Sequence, residues 1–308
     1  MKLAMVFPGQ GSQSVGMLKG YDGLPQVAAV MDKAAQVLGV EFVKLMDHGP
    51  AEALNQTVNT QPAMVTAGYA VYAAWRALGG PAPEMVAGHS LGEYTALTAA
   101  GALKFEDALP LVRFRAQSMQ EAVPQGQGAM AAILNLDDEQ VIAACAEAGG
   151  VVQAVNFNSP GQVVIAGEKA AVDRAIEKCK ARGAKRAMPL PVSAPFHSTL
   201  MQPAADKLKV KLATVALMAP QCQVVNNVDV KIETDAERIK DALVRQAASP
   251  VRWVETIKKM AESGVTHIVE CGPGKVLAGM TKRIAPQVQS LSLSERASLE
   301  AALAAVKG

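Results

Sequence analysis

The chain has 308 residues, half of them apolar, 19% charged and 4% aromatic, a composition that excludes a disordered segment. Its net charge of +2 is the remainder of 30 basic and 28 acidic side chains, which excludes the sustained basic surface that nucleic acid binding demands. Cys145, Cys179, Cys222 and Cys271 lie far apart with no C-x-x-C pair, which excludes a zinc ribbon or a redox motif and fits buried reduced thiols in a cytoplasmic protein.

In chain order, the apolar run Leu3 to Phe7 ends at Pro8-Gly9-Gln10-Gly11 and reads as a buried strand, too short for a signal peptide. Asn55 to Trp75 is uncharged but interrupted by Asn59, Gln61 and Pro62, so no membrane span is expected. The pattern instead predicts a soluble helix after Pro62, with Thr60 as cap and Pro62 in the first turn. Met85-Val86-Ala87 before Gly88 is a second strand, and Leu91 to Ala100 suits a helix. From Gly126 to Ser193 the pattern tightens. Ala129 to Leu136 resembles a strand, Asp138 to Ala148 a helix, and Val151 to Val155 and Val163 to Ala166 two strands around Asn158-Ser159-Pro160-Gly161. Glu168 to Arg182 suits a helix and Lys185 to Leu190 a last strand. That βαββαβ order is ferredoxin-like. After Ser249-Pro250, a helix is expected with Val251, Val254, Ile257 and Ala261 on one face, and His267 to Val269 before Cys271-Gly272-Pro273-Gly274 is a further strand.

Alternating strands and helices predict an α/β fold. A large hydrolase-like domain with a mainly parallel sheet, 1–125 and 195–308, receives a small ferredoxin-like domain, 126–194, with crossings near Pro124 and Pro195. Balanced charge and the lack of an exposed apolar stripe favour a monomer.

Gly88-His89-Ser90-Leu91-Gly92 matches G-x-S-x-G between a strand and a helix, the setting in which a serine is exposed on a sharp turn. The new helix offers unpaired N–H groups where an oxyanion would form. A hydroxyl nucleophile needs a base, and the chain has four histidines. His48 reads as a loop residue, His267 as part of a strand, and His89 as a neighbour that shapes the pocket. His197 stands where the chain re-enters the large domain and is the best candidate. The H-E-x-x-H and G-x-x-x-x-G-K-[ST] motifs are both absent.

Phe7-Pro8-Gly9-Gln10-Gly11-Ser12-Gln13, Gly88-His89-Ser90-Leu91-Gly92-Glu93, Arg115 with Met119-Gln120, Asn156-Phe157-Asn158-Ser159-Pro160-Gly161-Gln162, Pro195-Phe196-His197 and Gly272-Pro273-Gly274 together resemble the signatures of the malonyl-CoA:acyl carrier protein transacylases of fatty acid synthesis. The likeness runs in order from Met5 to about Arg283 and implies malonyl transfer from malonyl-CoA to the phosphopantetheine thiol of an acyl carrier protein, with no metal or other cofactor. It implies Ser90 as nucleophile, His197 as base, the Gln246 backbone carbonyl as the group orienting that base, and the Gln10 and Leu91 backbone N–H groups as oxyanion hole. Arg115 would bind the malonyl carboxylate, for which a guanidinium is well shaped. His89, Asn158 and Phe196 would line the substrate site, Phe196 crowding out an α-methyl branch.

Between Lys169 and Arg186 seven basic residues face two acidic ones. Lys178, Arg182, Lys185 and Arg186 are candidates for docking an acidic carrier protein, although such a run is more often a solvated helix face. Two other functions share parts of this pattern. A serine hydrolase has G-x-S-x-G but normally also an upstream H-G-G loop, where this chain has Pro8-Gly9-Gln10-Gly11. A non-catalytic carrier-protein binding module would keep the fold without the reaction.

Overall fold

The computed structural model describes residues 1–192 and 194–307; Ser193, which the sequence reading puts at the end of the inserted unit, and Gly308 lie outside the described residues. Among the described residues nine strands form two sheets: β1 (Leu3–Phe7), β2 (Met85–Gly88), β3 (Gly128–Leu134), β4 (Val152–Ser159), β5 (Gln162–Glu168), β6 (Arg186–Pro189), β7 (Gln223–Val224), β8 (His267–Cys271) and β9 (Gln289–Leu293). The first sheet has the order β7-β2-β1-β8-β9, and every pairing in it is parallel. Its central strand β1 is buried at all five positions, as expected for a strand covered on both faces. Apolar clusters lie on either side. One gathers Met5, Phe7, Leu97 and the helix Thr57–Ala77; the other gathers Ala4, Val6, Trp253 and Ile257.

The second sheet, β4-β5-β3-β6, is antiparallel throughout. The helices Asp138–Ala148 and Lys169–Ala181 pack on it around Ile133, Val141, Ile165 and Ile176, which is the ferredoxin-like arrangement. Phe157 N–H donates to Val251 O and Val251 N–H to Val155 O, so β4 is stitched directly to the larger body.

Four local expectations need correction. The helix predicted after Pro62 starts at Thr57, with Pro62 inside it. Pro62 sits within the second turn, so only the Val58 carbonyl loses its intrahelical donor, and Thr60 Oγ1 donates backwards to Leu54 O and Gln56 O instead of capping. The helix after Pro250 spans Trp253–Glu262 and buries Trp253, Thr256, Ile257 and Met260, one residue out of phase with the predicted face, because Val251 is spent on the bridge to β4. β4 and β5 run on to Ser159 and from Gln162, so the turn is only Pro160-Gly161 and Asn158 belongs to a strand. His48 ends the helix Val40–His48 and is exposed, not part of a loop.

Candidate active site

β2 ends at Gly88, and the helix Gly92–Ala99 begins four residues later. A Cβ on Gly88 would lie 1.8 Å from Gly92 C, and one on Gly92 would lie 2.2 Å from Phe7 O, so no side chain fits at either glycine of the motif. Ser90 between them has φ +53°. A non-glycine residue in this left-handed region costs free energy that the surrounding bonds must offset. They do so through Asn227, whose Oδ1 accepts from Ser90 N–H at 2.8 Å and whose Nδ2 donates to Gly88 O at 2.7 Å.

His197 also has positive φ, +66°, in the loop where Ser198 Oγ donates to Pro195 O. Its Nε2 lies 2.7 Å from Ser90 Oγ, and its Nδ1 lies 2.9 Å from Gln246 O. A carbonyl can only accept, so Nδ1 carries the proton and Nε2 offers its lone pair to the serine hydroxyl. The ring is 3% exposed. Burial, reinforced by the Arg115 charge, lowers its pKa to about 3. The resting imidazole is therefore neutral and able to take a proton.

Arg115, 1% exposed, enters from the helix Phe105–Glu121. Nη1 donates to Gln61 Oε1 at 2.8 Å; Nη2 donates to Gln246 Oε1 at 2.9 Å and to Ser90 Oγ at 3.2 Å. The face of Tyr94 lies 5.4 Å from its guanidinium carbon, and Nε has no hydrogen-bond partner among the described residues. This buried cation thus reaches the nucleophile through Nη2 while its Nε stays unpaired.

A cavity of about 130 Å³ brings these groups together: Ser90, His197, Arg115, Gln10, Leu91 and His89 line it, and Met119, Met130, Leu190, Val192 and Phe196 form its apolar wall. It has room for a short acyl group beside the nucleophile. Neither Gln10 N–H nor Leu91 N–H donates a hydrogen bond among the described residues. His89 is bonded elsewhere than to the serine hydroxyl: its Nε2 meets Asn158 Oδ1 at 2.7 Å, and its ring packs on Trp253. Asn158 reaches the site through that bond and does not itself line the cavity. A polar groove of about 370 Å³ adjoins the cavity, sharing Gln10, Val192 and Phe196 with it and adding the amides Asn55, Gln56, Gln120 and Gln125. His48 and His267 line neither space.

Three residues of this site were not singled out from the sequence: Gln61, Glu93 and Asn227. Glu93 is the last residue of the quoted serine motif, and its side chain turns inward to accept from Asn227 N–H and Gln246 Nε2. Asn227 precedes no recognisable pattern, and Gln61 lies mid-helix.

In the basic run, Arg182 is already engaged by Glu147 and Gln140 of the neighbouring helix. Lys169 and Lys180 pair with Asp173 and Glu177. Lys178, Lys185 and Arg186 are exposed and form no ion pair among the described residues. No helix among the described residues is long and apolar enough to cross a membrane, and no group of three or more His, Cys, Asp or Glu among them could hold a metal ion.

The acyl transferase domain family matches residues 4–298. The malonyl CoA-acyl carrier protein transacylase of Escherichia coli strain K12 is 55% identical over 305 residues, which cover 98% of this chain and 99% of that protein. Among solved structures, an acyl-carrier-protein S-malonyltransferase from Burkholderia pseudomallei 1710b superposes with a TM-score of 0.97 at 61% identity, covering 99% of this chain and 100% of that one. A malonyl-transacylase solved in complex with its type II polyketide synthase acyl-carrier protein superposes with a TM-score of 0.97 at 52% identity, covering 99% and 100%.

Proposed function

This chain belongs to the acyl transferase domain family, and we propose that it moves malonyl from coenzyme A to the thiol of an acyl carrier protein through an ester on Ser90, supplying fatty acid synthesis. The observation that carries the reading is the 2.7 Å contact between Ser90 Oγ and a neutral His197 in a cavity that also holds a buried guanidinium. Neither a serine hydrolase nor a binding module needs that cation there.

In the first half-reaction Ser90 Oγ attacks the thioester carbonyl while its proton passes to His197 Nε2. The oxyanion of the tetrahedral intermediate takes hydrogen bonds from the backbone N–H groups of Leu91, at the start of the helix Gly92–Ala99, and of Gln10, in the loop after β1. Collapse breaks the carbon–sulfur bond, and the coenzyme A thiolate leaves with the proton from His197. In the second half-reaction the carrier's phosphopantetheine thiol gives its proton to His197 and attacks the ester; collapse returns the proton to Ser90 Oγ. Each proton passes through His197, one leaving with the coenzyme A thiol and one arriving with the carrier thiol, so the chemistry calls for no metal or redox cofactor. The Gln246 carbonyl orients His197, as an aspartate does in other serine enzymes.

Arg115 holds the malonyl carboxylate, which makes the site selective for a charged acyl group. Phe196 narrows the cavity on the side where an α-methyl branch would project. His89 and Asn158 brace the loop behind the nucleophile. The amide-rich groove beside the cavity suits the two amides of the pantetheine arm. Residues 126–194 are read as a unit inserted into the body formed by 1–125 and 195–308, with Ser90 at the junction. Lys178, Lys185 and Arg186 remain the better candidates for steering an acidic carrier protein, whereas Arg182 is committed to its own helix neighbours. Water must be kept from the ester, and the apolar wall Met119, Met130, Leu190, Val192 and Phe196 supplies that exclusion.

Intact-mass spectrometry after mixing with malonyl-CoA tests the reading. A malonyl adduct that persists and is lost in Ser90→Ala supports transfer. Turnover to free malonate without accumulation supports hydrolysis, and no adduct supports binding alone.

A further inference from the structure

Beneath the nucleophile, residues from four distant segments form a continuous polar line centred on Gln246. Its backbone carbonyl accepts from His197 Nδ1 at 2.9 Å, and its side-chain Oε1 accepts from Arg115 Nη2 at 2.9 Å. Its Nε2 donates to Glu93 Oε2 and to Ser90 O, each at 2.9 Å. Glu93 is 2% exposed and forms no ion pair among the described residues. Its two donors, Gln246 Nε2 and Asn227 N–H, both meet the same oxygen, Oε2.

That geometry is one a glutamine would satisfy equally well, since one amide oxygen can accept both bonds. A buried carboxylate without a direct counter-ion is costly. The charge at position 93 therefore calls for a role that the hydrogen bonds do not explain. Two cationic groups lie along the line: Arg115, permanently charged and without an acid of its own, and His197, which becomes an imidazolium when it takes the Ser90 proton. The Gln246 amide stands between Arg115 and Glu93 with its oxygen toward the guanidinium and its N–H toward the carboxylate, the orientation that transmits one charge to the other.

We propose that Glu93 is a positioning residue for the acyl transfer: acting through Gln246, it supplies the negative charge that the Ser90–His197 pair lacks, supporting the imidazolium and balancing Arg115. The inference rests on the acyl-transfer reading above. Ser90 and His197 are joined to an amide and a carbonyl where other serine enzymes place an acid, and here the acid stands one residue further out.

The role is pH-dependent. Burial raises the Glu93 pKa to about 7, opposed by the bonds from Gln246 and Asn227 and by the Arg115 charge, with Asp229 acting in the same direction as burial. Tyr94 is pushed up to about 12 and stays neutral. Glu233 shares with Glu93 a small cavity lined also by Asn226. His197, lowered to about 3, stays in its base form throughout the neutral range, and burial also raises Glu270 to about 7, so a change of rate near pH 7 reports Glu93 where E93Q abolishes it.

The test is single-turnover formation of the Ser90 malonyl ester by the full chain, followed by quench and intact mass from pH 6 to pH 8.5, for wild type and Glu93→Gln. The glutamine oxygen can keep both donors, and its new amide group would face the small cavity. The lost charge should lower the limiting rate several-fold. The wild-type rate should climb with a midpoint near pH 7, whereas E93Q should stay low and flat with an unchanged or lower KM for malonyl-CoA. An E93Q variant with the wild-type rate and profile, or one whose loss lies entirely in a raised KM, would overturn the assignment. Should E93Q fail to fold, the wild-type profile alone decides, because a flat rate from pH 6 to pH 8.5 contradicts the role. No ester on the wild-type chain at any pH would overturn the acyl-transfer reading itself, whereas an ester formed equally fast in E93Q overturns only the part given to Glu93.

Discussion

Replacing Arg115 with alanine separates recognition of the acyl group from the chemistry of its transfer. In wild type the guanidinium is fixed by Gln61 and Gln246, lies 3.2 Å from Ser90 Oγ and keeps Nε without a partner. Removing a buried cation from a hydrogen-bonded charge pair typically costs about 2–5 kcal/mol. At tenfold per roughly 1.4 kcal/mol, kcat/KM for malonyl-CoA should fall by about thirtyfold to a few thousandfold. Acetyl-CoA offers no carboxylate, so that contribution vanishes for it. Two smaller effects remain for both donors. The long contact to Ser90 is lost, and His197 becomes more basic because the Arg115 charge no longer opposes its protonation. These act in opposite directions, so acetyl transfer should be retained or increased. Stability should change only modestly. Gln61 and Gln246 each lose a donor, at about 1–3 kcal/mol apiece, but the variant no longer buries a guanidinium with an unsatisfied N–H. The assay is kcat/KM with each donor, read as the Ser90 ester by rapid quench, alongside a thermal melt. Equal losses with both donors in a folded variant would refute the clamp, since they would place Arg115 in the transfer step and not in recognition.

Glu270 provides a stability test remote from the chemistry. Its Oε2 accepts from Ala278 N–H at 2.7 Å, its Oε1 is buried without a partner, and burial raises its pKa from 4.5 to about 7. Between those values the unfolded chain has lost the proton while the folded chain still holds it, so this group's contribution to stability declines as pH rises through that window and is least favourable above 7. Glu270→Gln should therefore be more stable than wild type at pH 8, by at most about 3 kcal/mol, since a tenfold difference in proton affinity between folded and unfolded chains corresponds to roughly 1.36 kcal/mol. Little gain is expected at pH 4, and an identical gain at both pH values in chemical denaturation would contradict this. On the basic surface, reversing Lys178, Lys185 and Arg186 to Glu should raise KM for the carrier protein several-fold and leave that for malonyl-CoA unchanged. Unaltered steady-state constants for both substrates would make the patch a solvated face and nothing more.

How legible the site was in the sequence depended on how local each constraint is. The G-x-S-x-G turn is written in adjacent residues because two backbones approach so closely that Gly88 and Gly92 admit no Cβ. The strand at Leu3–Phe7 was equally plain, since a strand buried on both faces is an unbroken apolar run. Gln246 carried no such mark. Its carbonyl orients His197, and a backbone group leaves no trace in side-chain identity, so only the family resemblance pointed to it. Glu93, Asn227 and Gln61 were missed for a related reason. Their partners come from segments up to 153 positions away, and nothing in a local window signals that a Glu on a short helix will turn inward. Val251 misled the helix phase because it bonds to β4 and not to the helix that follows. Pro62 suggested a helix start, yet the helix tolerates it early in its length.

The central claim is that Ser90 carries the acyl group between two thiols. A pulse–chase measurement tests it most directly: load the chain with labelled malonyl-CoA, remove free donor, map the label by peptide mass spectrometry, then add phosphopantetheine-bearing carrier protein. Label should sit on the peptide containing Ser90 and pass stoichiometrically to the carrier thiol, with neither step occurring in Ser90→Ala. Label released as free malonate while the carrier stays unloaded, or label fixed on any other residue, would contradict the account.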